Sequence, residues 1–278
     1  MGLRRRVAGL REARVQVDGF DIPYLIGGES HAGRDVVLIH GFSDTKDSFV
    51  DVARILAKTH RVILPDLPGF SQASQPWDFH YSLPAITEIV AAALQRLGLS
   101  RAHVVGNSLG GAIAAQYAAT YPMRVATLTL IGAAGLDMPV ASPLQRQLDA
   151  GENPFVVDTY EAWAAFIQMA LEKPPLMPGV VRRQMARVFI ARAALNEKIL
   201  ADLLASDYKL SERLSDIRAP TLVLWGNCDR FIDLSAGRVY HAAIEGARLV
   251  ILDRIGHCPQ VEAPGRTARC IQTHLDTL

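Results

Sequence analysis

The sequence predicts an α/β protein with a mostly parallel central sheet, helices on both of its faces and a helical segment inserted late in the chain. Short apolar runs typical of buried strands alternate with helical patterns along most of the chain. Such alternation favours a parallel sheet covered by helices. It stops between about residues 136 and 219, where helical patterns follow one another without a strand. We therefore predict a core formed by residues 1–135 and 219–278, and a helical cap formed by residues 136–218.

The predicted strands begin with a hairpin. Residues 14–17 and 20–26 have an extended pattern, and the Asp18-Gly19 pair between them is typical of two-residue hairpin turns. The other predicted strands are short, mainly aliphatic runs at residues 36–39, 61–64, 103–105, 126–131, 221–225 and 249–252.

The predicted helices alternate with these strands. In the core they cover residues 45–58, 82–97, 109–120, 234–241 and 264–275. Pro264 suits the start of the last one, because its fixed φ and missing N–H are tolerated in a first helical turn. In the cap, helical patterns cover residues 159–171, 180–194 and 197–204.

Composition limits the classes of partner. The 278 residues carry 29 basic and 28 acidic side chains, a formal charge of +1, so we expect no nucleic-acid partner. The basic cluster of Arg4, Arg5, Arg6, Arg11 and Arg14 is interpreted as a solvated or frayed N-terminus. A partner of small-molecule size is expected instead.

Apolar runs and cysteines bear on location. No apolar run reaches the roughly 20 residues that a membrane helix needs, so no integral membrane segment is expected. No secretory signal is visible at the start of the sequence. Three cysteines cannot form a disulfide framework and none pairs at metal-ligand spacing. We expect a cytoplasmic protein.

A candidate nucleophile lies in the segment Gly106-Asn107-Ser108-Leu109-Gly110-Gly111. The segment follows a predicted strand and opens a predicted helix, which is the context that a G-x-S-x-G nucleophile elbow requires. The glycines leave room for a tight turn, and the helix N-terminus favours developing negative charge. Ser108 is the predicted nucleophile.

A serine hydroxyl needs a general base, and the base needs an acceptor that holds its tautomer. His257 follows the last predicted strand in a Gly-His loop, and we assign it as the base. Asp229 follows the strand before it and is the preferred acid. Asp233, expected to cap the next helix, and Asp137 are the alternatives for the acid.

Two loops supply candidate oxyanion donors. Acyl transfer needs N–H groups that stabilise a tetrahedral oxyanion, and we assign these to the backbone amides of Phe42 and Leu109. His40 is expected to structure its loop rather than to act as a base. Asp66, in the turn Asp66-Leu67-Pro68-Gly69-Phe70, is interpreted as scaffold. No metal or organic cofactor is predicted.

Five motifs together make the chain resemble the α/β-hydrolase superfamily: HGF at His40, DLPGF at Asp66, GNSLGG at Gly106, WGNCD at Trp225 and GHCPQ at Gly256. HGFSDTKDSF and the cap segments NPFVVDTYEAW and KPPLMP are similar to the carboxylesterase and monoacylglycerol lipase branch. The resemblance implies a serine hydrolase that cleaves carboxylic esters, either short-to-medium acyl esters or monoacylglycerols.

Two alternatives stay open. GNSLGGA is also similar to C–C bond hydrolases that cleave ring-fission dienoates, but this loop lacks their Gly-Pro-rich sequence, and Cys258 replaces their aromatic residue after the histidine. A non-catalytic receptor or scaffold of the same fold is the other alternative, although such proteins often lack a member of the triad.

The cap is expected to line the acyl pocket with apolar side chains: Trp163, Phe166, Ile167, Met169, Ala170, Leu171, Leu176 and Met177. The cap arginines are interpreted as a solvated helix face: Arg182, Arg183, Arg187 and Arg192.

Overall fold

The computed structural model describes residues 2–277 and contains one eight-stranded sheet in that range. The strands are β1 (Arg11–Val17), β2 (Phe20–Gly27), β3 (Asp35–Ile39), β4 (Arg61–Pro65), β5 (Ala102–Asn107), β6 (Val125–Ile131), β7 (Thr221–Gly226) and β8 (Arg248–Leu252). Their spatial order is β1-β2-β4-β3-β5-β6-β7-β8. The β1–β2 and β2–β4 pairs are antiparallel, and the other pairs are parallel. The predicted fold class is confirmed, and all eight predicted strands are present.

The helices lie between these strands. In the core they are α1 (Gly2–Val7), α2 (Val50–Leu56), α3 (Leu83–Arg96), α4 (Leu109–Thr120), α9 (Leu234–Ala243), α10 (Pro259–Glu262) and α11 (Pro264–Leu275). Between β6 and β7 they are α5 (Pro143–Asp149), α6 (Tyr160–Ala170), α7 (Gly179–Ile190) and α8 (Ala193–Leu204). The boundaries of the cap at residues 136 and 218 stay a prediction.

The central strands are buried on both faces of the sheet. Along β3, Val36 and Leu38 belong to one apolar cluster, whereas Val37 and Ile39 belong to another on the opposite face. Successive side chains of a strand alternate between faces, so a strand covered on both sides needs a continuous apolar run. This requirement explains why β3 has no alternating polar residue.

The hairpin turn is as predicted, but β1 starts earlier. Asp18 and Gly19 have φ values of 48° and 81°, so both turn residues are left-handed, as a tight hairpin requires. Arg11 pairs with Ile26, three residues before the predicted start of the strand. The first residues of β1 are polar because this edge strand exposes one of its faces. The apolar pattern therefore did not predict that the strand begins there.

The basic N-terminal cluster, interpreted as a solvated or frayed end, lies in α1 and β1 and is therefore not frayed, but all of its arginines except Arg5 are exposed to solvent. Arg5 of α1 donates to both carboxylate oxygens of Asp47, at 2.7 and 2.6 Å, and also to Glu12. Arg4 donates to Asp51 at 2.8 Å. Helix α1 has no buried residue, so distant acidic side chains hold it in place and apolar periodicity could not reveal it.

The helix predicted at residues 45–58 is also wrong in its first turn. A 3₁₀ helix covers Lys46–Phe49, and the α-helix begins only at Val50. The Thr45 side chain accepts from the Asp47 N–H, and the Asp66 carboxylate accepts from the Lys46 N–H. These two bonds fix a tighter turn than an α-helix allows.

Two helices of the inserted segment, α5 and α6, begin at a polar residue whose side chain accepts from a backbone N–H of the first turn. Thr159 accepts from the Ala162 N–H at the start of α6, and Ser142 accepts from the Gln145 N–H at the start of α5. Helix α8 begins at Ala193, so the helical pattern of residues 180–194 belongs to two helices that meet near Arg192.

In residues 2–277, no helix is both long and apolar enough to cross a membrane.

Three histidines near the amino-terminal ends of the parallel strands, His60, His103 and His274, predict that the stability depends on pH. Burial, followed by the charges of His60 and His274, lowers the pKa of His103 to about 4. Burial also lowers the pKa of His60 and of His274. Each histidine titrates near 6.5 when unfolded, so the unfolded chain binds more protons between pH 6.5 and pH 4. The free energy of unfolding should therefore be highest above about pH 6.5. It should fall as the pH is lowered.

Urea denaturation at pH 7.5 and pH 5 tests this expectation. The midpoint of the wild-type protein should be lower at pH 5. His103→Gln should reduce the difference between the two midpoints, because glutamine does not titrate but can replace the bond to the Thr127 hydroxyl. An unchanged difference in the variant would contradict the assignment to His103.

Candidate active site

Ser108 lies on a strained turn between β5 and α4. Its φ of 56° and ψ of −121° are rarely adopted by a residue with a side chain, and such strain costs about 1–3 kcal/mol. Its N–H donates to the Ile131 carbonyl, and its carbonyl accepts from Gly111, Ala112 and Ala134. The neighbouring strand and helix therefore hold the serine in this conformation.

The two glycines of the motif allow close backbone approach. A Cβ on Gly106 would lie 2.0 Å from the Gly110 carbonyl oxygen, and a Cβ on Gly110 would lie 2.3 Å from the His40 carbonyl oxygen. Neither position can carry a side chain without moving backbone. This explains the spacing of the glycines around Ser108.

His257 and Asp229 form a buried pair. The His257 Nδ1 lies 2.8 Å from Asp229 Oδ2, while Asp229 Oδ1 accepts from the N–H groups of Phe231 and Ile232, both at 2.9 Å. His257 is 3% exposed and Asp229 is 8% exposed. A neutral imidazole that donates from Nδ1 keeps a lone pair on Nε2, and this buried Nε2 has no hydrogen-bond partner among residues 2–277. The pair has the arrangement that a general base requires.

The other acid candidates lie elsewhere. Asp233 caps α9, since its carboxylate accepts from the Ser235 N–H at 2.8 Å, as the sequence predicted. Asp137 is exposed in the loop after β6. Asp229 is the acid whose carboxylate oxygen accepts the hydrogen bond from His257 Nδ1.

Hydrogen bonds of Ser108 and of the preceding Asn107 connect the serine turn to the segments around His257. Ser108 donates to Ile131, and a Cβ on the following Gly132 would lie 3.2 Å from both His257 Nδ1 and Asp229 Oδ2. No direct hydrogen bond joins Ser108 to His257 within the described chain. Catalytic hydrogen bonds are often long before substrate binds.

The loop after β3 presents the Phe42 amide. His40 Nδ1 lies 2.8 Å from the Gly41 carbonyl, and His40 Nε2 accepts from the Leu67 N–H at 3.0 Å. The Gly41 carbonyl and the Phe42 N–H belong to one planar peptide and point in opposite directions. Fixing the carbonyl on His40 therefore directs the Phe42 N–H away from His40. His40 structures the loop, as expected.

A buried ion pair anchors the far end of the same loop. Lys46 is 1% exposed, and its ammonium lies 2.5 Å from Asp66 Oδ2 and 3.2 Å from Gln72 Oε1. Asp66 also accepts from the Lys46 N–H at 3.0 Å. The turn predicted as scaffold thus holds the candidate oxyanion loop, and nothing in the local sequence pattern indicated this pairing.

Asn107 joins three parts of the site and was missed by the sequence analysis. Its Nδ2 donates to the carbonyls of Ile131 and His257, at 3.0 and 3.1 Å, and its Oδ1 accepts from Gln260 at 2.9 Å. The residue that precedes Ser108 therefore fixes the loop that carries His257. Only its place inside the motif could have drawn attention to it.

Asn107→Ala should destabilise the protein by about 3 kcal/mol, because it leaves buried groups of His257 and Gln260 without partners. Urea denaturation measures the loss. The matched control is Asn227→Ala, which removes an exposed asparagine that donates to Asp253 and accepts from the Arg254 N–H. It should cost less than about 1 kcal/mol, because solvent can replace both bonds at an exposed site. Equal losses in the two variants would contradict this role.

An aromatic cluster covers the site. Ring centroids lie 5.2 Å apart for Phe42 and Phe155, 6.0 Å for Phe155 and Phe231, and 4.9 Å for Phe231 and His257. Phe166 packs on Phe231 at 5.1 Å. The oxyanion loop, the cap and the candidate base therefore share one apolar wall. Phe155 and Phe231 were not among the predicted lining residues.

Comparisons with known proteins agree with this geometry. The family model described as alpha/beta hydrolase fold matches residues 36–264. The chain belongs to the α/β-hydrolase family. Lipase 1 of Psychrobacter immobilis is 34% identical to this α/β-hydrolase over 85% of the chain and 75% of its own length. Monoacylglycerol lipase ABHD6 of Mus musculus is 25% identical over 96% of the chain and 83% of its own length.

A solved structure is also similar to this α/β-hydrolase. The crystal structure of a membrane phospholipase A, described as a novel bacterial virulence factor, is 38% identical to it and has a TM-score of 0.96. The match covers 99% of this chain and 89% of that one. Together these relatives identify the α/β-hydrolase as a carboxylic ester hydrolase. The predicted superfamily and the predicted enzyme class are confirmed.

Most of the apolar cap residues predicted for this α/β-hydrolase are buried in one apolar cluster or packed against it, and their place in an acyl-pocket lining stays a prediction for all but Leu176. Trp163, Phe166, Ala170 and Leu171 are buried in the apolar cluster of the cap, with Ile167 and Met169 packed against it. Leu176 is fully exposed, so its predicted place in a pocket lining is wrong. Leu176 lies in the proline-rich segment between α6 and α7, where no element covers it.

Arg192 is not part of a solvated helix face. It is only partly exposed and donates to the carbonyls of Gly69 and Ser71. Burial lowers its pKa from the usual value for arginine. The residue therefore joins the cap of the α/β-hydrolase to the turn after β4.

The surroundings of the two cysteines beside the site, Cys228 and Cys258, disfavour the thiolate form. Burial raises the pKa of Cys258 well above its usual range, with a further contribution from the charges of Asp44 and Asp229. Burial also raises the pKa of Cys228. A raised thiol pKa disfavours the thiolate that nucleophilic chemistry needs. Among the described residues, no group of three or more His, Cys, Asp and Glu side chains is placed to hold a metal ion.

Proposed function

We propose that this α/β-hydrolase cleaves carboxylic esters through an acyl-enzyme on Ser108, with His257 as the general base and Asp229 as its orienting acid. The observation that carries the proposal is the state of His257. Its Nδ1 bonds Asp229, its buried Nε2 has no hydrogen-bond partner among residues 2–277, and Asn107 ties its loop to the serine turn. These are the conditions under which an imidazole can remove a serine proton.

The proposed reaction has two halves. Ser108 Oγ attacks the ester carbonyl while His257 Nε2 takes its proton, and collapse of the tetrahedral intermediate breaks the C–O bond as His257 returns that proton to the leaving alcohol. Water, deprotonated by His257, then attacks the acyl-enzyme. Collapse of the second intermediate releases the carboxylic acid and restores the Ser108 hydroxyl.

The oxyanion is proposed to bind the Phe42 and Leu109 amides. Leu109 is the first residue of α4, so its N–H has no acceptor within that helix. The Phe42 N–H is directed by the bond between His40 and the Gly41 carbonyl. Two preorganised N–H groups of this kind stabilise the tetrahedral intermediate more strongly than the planar ester.

Short-to-medium acyl esters and monoacylglycerols are the proposed substrates. The aromatic wall of Phe42, Phe155, Phe166 and Phe231 offers apolar contacts to an acyl chain next to His257. The names of the relatives, lipase and monoacylglycerol lipase, support uncharged lipid esters. The cytoplasmic location stays a prediction.

A series of 4-nitrophenyl esters tests the substrate class. Each buried methylene contributes about 0.8 kcal/mol, so kcat/KM should rise about fourfold per carbon from acetate until the pocket is filled. Phe155→Ala should flatten this rise but leave acetate hydrolysis nearly unchanged. The matched control is Tyr160→Ala, because Tyr160 packs on Trp163, outside the wall.

The same assay separates the alternatives. A ring-fission dienoate should be a poor substrate compared with the butanoyl or octanoyl ester. Faster turnover of the dienoate would replace ester hydrolysis with C–C bond hydrolysis as the main activity. A protein that turns over neither substrate class would support a non-catalytic role.

A further inference from the structure

The positive charge of the chain is concentrated in one part of the cap. Residues 173–192 contain five basic and no acidic side chains, whereas the rest of the chain contains 24 basic and 28 acidic ones. A protein of net charge +1 thus carries a locally cationic segment. The segment includes α7 and the proline-rich stretch before it.

Helix α7 presents a mixed basic and apolar face to solvent. Of its twelve residues only Ala186 is buried. The exposed residues of the helix also include Arg182 and Gln184. We define the α7 surface as the valines and arginines of one outer face together with the leucine before the helix: Leu176, Val180, Val181, Arg183, Arg187 and Val188. Arg183 and Arg187 are four residues apart and therefore neighbours on the helix. Val181 and Val188, seven residues apart, lie together at the other edge of the exposed face, with Val180 between them and the arginines.

The opposite face of α7 packs against the aromatic cluster of the site. Phe189 lies 5.7 Å from Phe166, which packs on Phe231, and Phe231 packs on His257. Met185 and Ile190 join the same apolar cluster. The helix thus separates the aromatic wall from the outer surface of the cap.

We propose that the α7 surface binds the surface of a membrane that contains anionic phospholipids. Lys and Arg side chains are attracted to anionic lipid headgroups, and exposed apolar side chains of an interfacial helix enter the boundary between headgroups and acyl chains. The α7 surface offers both features together, with no acidic residue on its helix to repel the lipid. The attachment is peripheral, with α7 lying between the lipid and the aromatic wall.

This inference goes beyond the proposed function, since binding to vesicles needs no ester hydrolysis. Sedimentation with phosphatidylcholine vesicles, with and without phosphatidylglycerol, measures it directly. The wild-type protein should partition onto the anionic vesicles and much less onto the neutral ones, and added salt should weaken the binding. Hydrolysis of a short soluble ester, measured in parallel, reports on the active site alone.

Two double variants separate charge from apolar contact. Arg183→Gln with Arg187→Gln should lower the partition coefficient about 25-fold, since each surface arginine contributes roughly fivefold. Val180→Ser with Val188→Ser should lower it about tenfold. Neither change touches the aromatic wall, so soluble-ester hydrolysis should be unchanged.

The matched control removes the same charge elsewhere. Arg101 and Arg269 are exposed on other parts of the core, and Arg101→Gln with Arg269→Gln should change vesicle binding less than about twofold. Equal binding by the control and the Arg183/Arg187 variant would overturn the proposal, as would wild-type protein that stays in the supernatant. A wild-type dimer that the Val180/Val188 variant dissociates would instead assign the surface to a second copy of the chain.

Discussion

Ser108→Ala should lower kcat for ester hydrolysis by about a million-fold, the loss expected when the nucleophile of a serine hydrolase is removed. The alanine deletes one hydroxyl from a turn whose conformation is held by backbone hydrogen bonds to Ile131, Ala112 and Ala134. The fold should therefore persist. Initial rates with a short ester measure the loss, and thermal denaturation checks that the melting temperature is nearly unchanged.

Ser43→Ala is the matched control for this variant. Ser43 also has a positive φ, 54°, and lies in the candidate oxyanion loop, where its hydroxyl accepts from Asn196. Its removal should cost less than about tenfold in kcat. An organophosphonate ester should label Ser108 in the wild-type protein, and a label mapped to any other residue would show that the nucleophile is wrongly assigned.

Asp229→Asn should lower kcat by about ten-thousand-fold through the tautomer of His257. Asp229 Oδ1 accepts from two backbone N–H groups, so the asparagine oxygen should keep that side and turn its NH₂ toward His257. An NH₂ group can only donate, which forces His257 Nδ1 to accept and places the proton on Nε2. A protonated Nε2 cannot remove the proton of Ser108.

Asp233→Asn is the control for the acid. Asparagine caps helices as well as aspartate does, so the start of α9 should remain intact and kcat should change less than about twofold. Steady-state rates of the two variants with one ester decide between the candidates. A larger loss in the Asp233 variant would move the acid to that position.

The site was predictable where the chemistry depends on neighbours in sequence. The glycines around Ser108 are required because Gly106 and Gly110 approach backbone at the same turn. Asp229 and His257 could be proposed because each lies in the loop after a strand, and the carboxyl ends of parallel strands meet at one edge of a sheet. Pattern and position along the chain were sufficient to place these residues at one edge of the sheet, and their catalytic roles stay proposals.

Contacts between distant segments were not predictable. Asn107 bonds the His257 carbonyl across 150 residues, and Lys46 pairs with Asp66 across 20 residues inside the core. A buried lysine has no signature in sequence, because its burial depends on a carboxylate that another element supplies. The same reason applies to α1, because its arginines bond to Asp47 and Asp51 only in the folded chain.

The sequence by itself determined the order of strands and helices, the α/β class, and the positions of Ser108, Asp229 and His257 at strand ends. These depend on apolar periodicity and turn chemistry, which act within a few residues. The tertiary structure decided the aromatic wall over the site, the anchoring of the Phe42 loop, and the exposure of α7. Each depends on which faces meet across the sheet and the cap, and that is set by packing between segments far apart in the chain.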